Sequence, residues 1–273
     1  MEEQHVSDPG DATDVAIVTG GAGAGIGAGI SVELAAAGWH VAIVDRDIAA
    51  AATVAAALVD EGSCASAHEF DLSASSGHDE LLHDIEQHGQ CRLLVNSAGI
   101  GLTKRVADAS LSDWERLMDL DVRGAWLMSR TVLRSMVTAG DGCIINIGSI
   151  QALGPAEQYG LYATAKSALA GLTLGIAADY GHAGIRAVCV HPGMVDSPQN
   201  REIFASFGDP DAFIANYIET RQMVPRLIQP ADIGRAVVFL ASRHASAITG
   251  TAVVVDAGSS AMAFDRPARE STE

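Results

Sequence analysis

Basic residues are scarce in this chain: 17 Lys and Arg stand against 34 Asp and Glu, for a net charge of −17 at pH 7. An exterior of that sign repels phosphate backbones and anionic lipid surfaces, so neither nucleic acid nor membrane is an expected partner. Cysteine is also sparse, with Cys64, Cys91, Cys143 and Cys189 far apart and no CxxC pair. Without clustered histidines such spacing offers no zinc or other metal site, and it reads as reduced, mostly buried thiols in a cytoplasmic protein. No apolar run reads as long enough to span a bilayer. The opening MEEQHVSDPGDATD lacks the basic and apolar regions of a signal peptide, so residues 1–14 are expected to be a disordered leader. With only eight prolines, no Pro-rich or Ser-rich linker divides the chain, and no internal repeat is visible.

What is present is apolar material enough for one large core, 48% of 273 residues. Nearly continuous apolar runs occur at 15–19, 40–44, 92–96, 143–147, 185–190 and 251–255, with a weaker one at 65–70. Runs of this kind are expected of strands covered on both faces. Helical patterns fall between them at 26–37, 47–60, 112–139, 162–180 and 231–241, with Asp113 near one start and Gly181 just past one end. Repeated βα alternation implies an α/β fold: a doubly wound, seven-stranded parallel sheet with helices on both faces, of the Rossmann type, in a single domain. That domain is expected to span 15–264, with a tail at 265–273.

After the first apolar run comes VTGGAGAGIGAG, six glycines in the twelve residues from Val18 to Gly29. In a parallel sheet this turn delivers backbone N–H groups at a helix N-terminus, where a side chain would block a pyrophosphate. Gly20, Gly25 and Gly27 suit a tight turn, close approach of phosphates and packing of the new helix, with Ile26 between the last two. Strand two ends in IVDRD, which places Asp45 twenty-five residues after Gly20, where a carboxylate accepts hydrogen bonds from an adenosine ribose. It would repel a 2′-phosphate and so favours NAD over NADP, although the neighbouring Arg46 could accommodate that phosphate. A methyltransferase would show the same two features, so a chemical group must decide.

That group is offered by QYGLYATAKSALAGL. Tyr162 and Lys166 lie four residues apart and project from one helical face on successive turns. An ammonium beside a phenol stabilises the phenolate; moving a phenol from an ionisation near pH 10 to neutrality takes about 3 units, roughly 4 kcal/mol. A phenol so tuned can exchange a proton with a substrate alcohol while hydride passes to a nicotinamide. Taken alone, such a pair is usually just an amphipathic surface.

From about Asp14 to Ser260 the sequence resembles the short-chain dehydrogenase/reductase family in its compact, single-domain branch. TGGAGAGIG looks like that family's TGxxxGxG turn, VNSAG like its NNAG, and YATAK is its YxxxK unchanged. Ser149 of INIGS precedes Tyr162 by thirteen residues, the family's interval; HPGMVDS resembles its PG turn and ITGTAVVVDAG its closing strand. The resemblance implies that Tyr162 is the acid/base, that Lys166 binds the nicotinamide ribose and supports the phenolate, and that Ser149 polarises the carbonyl. It further implies that Asp71 with Leu72 beside it meets the adenine, that Asn96, Ala98 and Gly99 line the adenosine side, and that Pro192, Gly193, Val195 and Ser197 hold the nicotinamide carboxamide. The expected activity is NAD-dependent interconversion of a secondary alcohol and a ketone on a small molecule.

Three departures stand out. Four residues separate TG from GIG where the family has three, so the loop either bulges or uses a different glycine for closest approach. Ser97 replaces the second Asn of NNAG, a change expected to affect loop packing. Asp121, in MDLDVRGAW, occupies the position of the family's Asn, which kinks a helix and holds a proton-relaying water through its carbonyl; the carboxylate adds negative charge near Lys166 if the two approach.

Residues 198–230 correspond to the family's substrate lid. There Phe204, Phe207, Phe213 and Tyr217 could line an apolar pocket, while Phe213, Ile214, Tyr217 and Ile218 have the helical spacing of core. His191 reads as structural, because Tyr162 fills the proton-transfer role. The small residues of ATAKSALAGLTLGIAA permit close helix packing, and a homotetramer is expected. The competing readings are a catalytically silent nucleotide-sensing or scaffolding protein on the same fold, and a methyltransferase. Neither calls for Ser149, Tyr162 and Lys166 together.

Overall fold

The apolar runs become the strands of one parallel sheet in the computed structural model, which describes residues 14–206 and 208–262. They are β1 (Asp14–Thr19), β2 (His40–Asp45), β3 (Ala65–Glu69), β4 (Gln90–Asn96), β5 (Gly142–Ile147), β6 (Ile185–Pro192) and β7 (Thr251–Val255), in the order β3-β2-β1-β4-β5-β6-β7. All six neighbouring pairs are parallel. Residues 1–13, Phe207 and 263–273 lie outside the described residues. So do the expected leader and tail, except that Asp14 opens β1 and pairs with Arg92 (Oδ1 to Nε, 3.6 Å).

Alternate residues of each central strand feed two cores, as a sheet covered on both faces requires. Ala16 and Val18 join Ile30 and Leu34 of α1 (Ile26–Ala36), Leu58 of α2 (Ile48–Asp60) and Leu240 of α9 (Pro230–Ala241). Val15 and Ile17 join Leu82 of α3 (His78–Ile85), Met128 and Met136 of α5 (Ala125–Ala139) and Ile176 of α6 (Gly160–Tyr180). β7 departs from the expectation of double cover: Thr251, Ala252 and Val254 are exposed, because it is an edge strand paired only with β6.

The long helical pattern at 112–139 is two helices joined by a π-helical turn: α4 (Leu111–Met118), the turn Asp119–Gly124, then α5. Ser110 and Asp113 form a reciprocal capping box that starts α4. A π turn adds a residue to the helical circuit and redirects the side chains within it. Here it carries Asp121 inward, where it is 1% exposed.

The segment Gly160–Ala183 is long and apolar enough, by length and composition, to cross a membrane, which corrects the reading that no run is. In this fold it forms α6, packed along β6 and β5, and apolarity on the sheet side is what that position demands. Its outward side exposes Leu174.

The lid region is helical, with α7 (Pro198–Ala205) and α8 (Pro210–Arg221). Phe204 and Phe213 stack at 4.9 Å and, with Met194 and Ile214, form a small core of the lid itself, around which Tyr217 and Ile218 pack. Helical spacing there marks core, so these aromatics serve the lid's own packing.

The lid's far end hangs on one strained residue. Met223 and Val224 both donate N–H groups to the carbonyl of Ala257, whose φ is +55°. Ala257 stands where the resembling family has the first Gly of DGG, and a left-handed alanine costs about 1 kcal/mol or more that glycine escapes. Ala257→Gly should therefore raise stability by roughly 0.5–1 kcal/mol in urea unfolding, after the larger chain entropy of glycine is subtracted.

Candidate active site

Strand connections leave β1 toward β2 on one side and β4 toward β5 on the other, so a crevice opens at the carboxyl ends of β1 and β4. A cleft of about 640 Å³ occupies it, lined among others by Gly20, Gly25, Ile26, Gly27, Asp45, Arg46, Asp71, Leu72, Ala98, Gly99 and Ser197. The expected cofactor-binding residues from five loops thus meet at one place.

The glycines divide their labour as the spacing suggested. Gly20 has φ +64°, and a Cβ there would sit 2.7 Å from Ala98 Cα; a Cβ on Gly27 would strike the Gly20 carbonyl at 2.1 Å. Gly25 meets nothing within 4 Å and is the N-cap of α1, with no side chain capping the first-turn N–H groups. That combination suits a pyrophosphate, since open space and uncapped donors face the cleft. Gly23, in the lengthened part of the loop, takes a left-handed φ of +76°.

Asp45 is held rigidly at the cleft wall: its carboxylate accepts the N–H groups of Ala22 (3.2 Å) and Asp47 (3.1 Å). Asp71 accepts both the hydroxyl (2.7 Å) and the N–H (2.9 Å) of Ser73, bonds that hold its carboxyl below the usual range. Thr19, ahead of Gly20, accepts the N–H groups of Ser97 and Ala98 with its hydroxyl, tying the β4 loop to the glycine turn.

Not every expected residue lines this cleft: Ser149, Tyr162 and Lys166 are not in its wall, Lys166 and Tyr162 lying behind Gly99 and Ile100, which are. Asn96 is turned into the interior, where its amide donates to Asn146 (2.8 Å), Ser129 (3.1 Å) and the Ala125 carbonyl (3.4 Å). Ser97 lines the cleft instead. Pro192, Gly193 and Val195 also stand off its wall. Gly193 donates to Val255, and Val195 is fully buried, with its carbonyl accepting the Asn200 amide at 2.7 Å. Helix α7 lies close over this end: a Cβ on Gly101 would come within 3.2 Å of Gln199 Nε2. Phe70, Ser73, Arg116, Asp119 and Gln199 line the cleft without having been singled out in the sequence, because nothing in their local pattern marks them.

Tyr162 and Lys166 sit in the first two turns of α6, as their spacing required. Lys166 Nζ lies 5.6 Å from the centre of the Tyr162 ring, which packs on Leu102, Leu117 and Ala165 and meets Tyr159 edge-on. Ser149 ends the β5 corner; its hydroxyl oxygen accepts the Gln151 N–H at 3.2 Å, and its proton remains for another acceptor.

Asp121 closes the group. Its Oδ2 lies 3.0 Å from Lys166 Nζ, its Oδ1 accepts the Ile100 N–H at 2.9 Å, and Nζ also donates to the Ile147 carbonyl at 3.3 Å. Both side chains are buried, Lys166 being 4% exposed. Burial pulls the lysine toward its neutral form, but Asp121 and Tyr162 outweigh it and hold its pKa above the ordinary value. Gly99 makes room for the pair, since a Cβ there would lie 2.8 Å from Asp121 Oδ2 and 2.9 Å from Lys166 Nζ.

Residues 21–260 match the family model described as enoyl-(acyl carrier protein) reductase. The chain is a short-chain dehydrogenase/reductase. It is 34% identical over 255 residues to 2-(S)-hydroxypropyl-CoM dehydrogenase 3 of Xanthobacter autotrophicus, covering 91% of this chain and 97% of that protein. It is 33% identical to galactitol 2-dehydrogenase of Rhizobium johnstonii, covering 89% and 93%. Among solved structures, a gluconate 5-dehydrogenase from Burkholderia cenocepacia in complex with NADP and tartrate superposes with a TM-score of 0.84 at 32% identity, covering 92% and 96%. These relatives are oxidoreductases, and this chain shares their family.

The buried pair makes a stability prediction that needs no substrate. Asp121→Ala strands an ammonium in the interior and should cost about 3 kcal/mol in urea unfolding. A loss below about 1 kcal/mol would mean that Lys166 reaches water by another route.

Proposed function

We propose that this short-chain dehydrogenase/reductase interconverts a secondary alcohol and a ketone with NAD, and that Tyr162 carries the proton. The observation that bears most weight is the placement of a buried ammonium 5.6 Å from the Tyr162 ring, one helical turn away, and against Gly99 of the cleft wall. The relatives named as galactitol, gluconate and 2-(S)-hydroxypropyl-CoM dehydrogenases support the reaction class.

The α1 N-terminus, Gly25 and Ala98 would hold the dinucleotide's phosphates and ribose, with Asp45 on the adenosine side. When bound, nicotinamide supplies the hydride acceptor or donor. Tyr162 takes the alcohol proton in oxidation and returns it in reduction, and the Ser149 hydroxyl donates to the substrate oxygen. NAD over NADP rests on Asp45, whose fixed carboxylate would face a 2′-phosphate, with Arg46 next to it in sequence to offset part of the charge. The Burkholderia protein was crystallised with NADP, so the preference proposed here is this chain's own.

A homotetramer built on α5 and α6 is supported by exposed Trp126, Val137 and Leu174, and by Gly171 and Gly175, which meet nothing within 4 Å. A cytoplasmic setting is supported by four free thiols, three of them buried.

The reading is tested by Tyr162→Phe on a panel of sugar, aryl, steroid and aliphatic alcohols. Turnover should fall by about 10³-fold or more while NADH, titrated by fluorescence, binds within about threefold of wild type and more tightly than NADPH. A variant that keeps its rate overturns the role of the phenol.

The electrostatics make a second prediction. Asp121 neutralises part of the field that supports a phenolate, so Asp121→Asn should move the rise of the oxidation rate with pH toward acid by about 1 unit. Superimposable profiles would show the carboxylate electrostatically idle.

A further inference from the structure

We infer that His191 is a positioning residue for Ser149: its neutral imidazole holds the peptide that presents the serine hydroxyl, and protonation of the ring releases that peptide. The inference rests on the proposed dehydrogenase reading for its consequence in turnover, though not for its geometry.

The backbone N–H of Ser149 donates to His191 Nδ1 at 3.0 Å. That bond fixes the tautomer, because Nδ1 must carry a lone pair and the proton must sit on Nε2. The imidazole reaches the peptide across Gly148, where a Cβ would lie 2.3 Å from Nδ1 and 2.6 Å from Cε1. Gly148 itself donates to the Val190 carbonyl at 2.7 Å, so the β5 corner is gripped by β6 on both sides of the histidine's reach. His191 is 1% exposed, and its ring is built into the corner.

The groups facing the ring decide what pH does to it. From α6 comes the Lys166 ammonium, with Asp121 of the π turn behind it; on β6 itself Cys189 Sγ lies 3.9 Å from Nδ1. The register partner on β7 is Val254, and the β5 corner contributes Gly148 and Ser149, none of them charged. Burial first and the Lys166 charge second hold the imidazole below its ordinary pKa of 6.5, while burial holds the Cys189 thiol up at about 11. His191 is therefore neutral at pH 7. Below its pKa Nδ1 gains a proton that points at the Ser149 N–H, and the hydrogen bond becomes a repulsion. A group whose folded pKa is depressed by burial favours its neutral form, so the grip is present above that pKa and lost as pH falls through it.

In ketone reduction a phenol acid stays protonated as pH falls, so acid loss of activity reports another group. Ser149 is the substrate-facing residue that His191 would release.

The experiment reads the Ser149 amide directly. Protein labelled with carbonyl-13C glycine and 15N serine shows only the amides of Gly–Ser pairs, which in this chain are Ser63, Ser149 and Ser259. Titrated from pH 8 to 5.5 with NADH bound, the wild-type Ser149 signal should move with a midpoint below 6.5, while those of Ser63 and Ser259 report an intact fold. In His191→Asn, whose side-chain oxygen can accept the same bond but does not titrate, the Ser149 signal should stay still. With a ketone turned over by wild type, kcat for reduction should fall about threefold or more over the acid range and about evenly persist in the Asn variant, with KM for NADH unchanged in both. A Ser149 amide that ignores pH in wild type, or that moves equally in His191→Asn, overturns the inference. Failure of the dehydrogenase reading shows separately, as Tyr162→Phe retaining turnover, and leaves the amide titration to stand or fall alone.

Discussion

A lysine ammonium buried beneath a sheet loop is the constraint around which this site is arranged. Removing such a charge from water costs several kcal/mol unless a partner and further hydrogen bonds replace the lost hydration. Asp121 Oδ2 at 3.0 Å and the Ile147 carbonyl at 3.3 Å are those replacements, and each comes from a different element. The π turn aims Asp121 inward, the absent side chain of Gly99 leaves the volume, and the end of β5 supplies the carbonyl. Because α6 must bring Lys166 to that point, it must also bring Tyr162, one turn earlier, against the cluster that Ile100 of the cleft wall joins.

The same pair alters what the phenol experiences. A lone ammonium acts on its surroundings as a charge, whereas an ammonium and carboxylate 3.0 Å apart act largely as a dipole, whose field declines faster with distance. The Tyr162 ring, 5.6 Å from Nζ, lies within reach of that field. Asp121 thus keeps the lysine charged and moderates what that charge does. An asparagine at this position can accept the Ile100 N–H but supplies no counter-charge, so the relation between lysine and phenol here belongs to this chain.

Much of this was legible because its signals are local in sequence. Strand runs, the glycine turn, Asp45 after strand two and the four-residue interval from Tyr162 to Lys166 depend on period and spacing, which a chain cannot vary without changing element type. Ser149 became legible only through the resemblance, since nothing in INIGS alone marks a hydroxyl for chemistry. The illegible parts depend on long-range packing. Asn96 was expected at the cleft but faces inward, because its register partner on β5 is Asn146, whose side-chain oxygen takes one of its amide protons inside the sheet. The apolarity of α6 is hard to read from sequence because it is spread over small Ala and Gly residues, broken by Lys166, rather than gathered in a continuous aliphatic run. The strain at Ala257 shows only when its φ is seen.

The inward turn of Asn96 has a structural logic of its own. Its amide donates to Asn146 on β5, and the Asn146 amide donates in turn to Thr173 of α6 at 2.9 Å. This buried chain of hydrogen bonds runs from the strand whose loop lines the cleft, through the strand that leads to Ser149, to the helix that carries Tyr162 and Lys166. Buried polar links of this kind are costly when broken, since each leaves an unpaired group in low dielectric, and they accept few alternative geometries. Apolar packing alone would permit α6 to slide along the sheet by fractions of an ångström with little penalty. The amide chain sets its register against β4 and β5, and so fixes where the Tyr162 phenol stands relative to the Ser149 corner and the cleft.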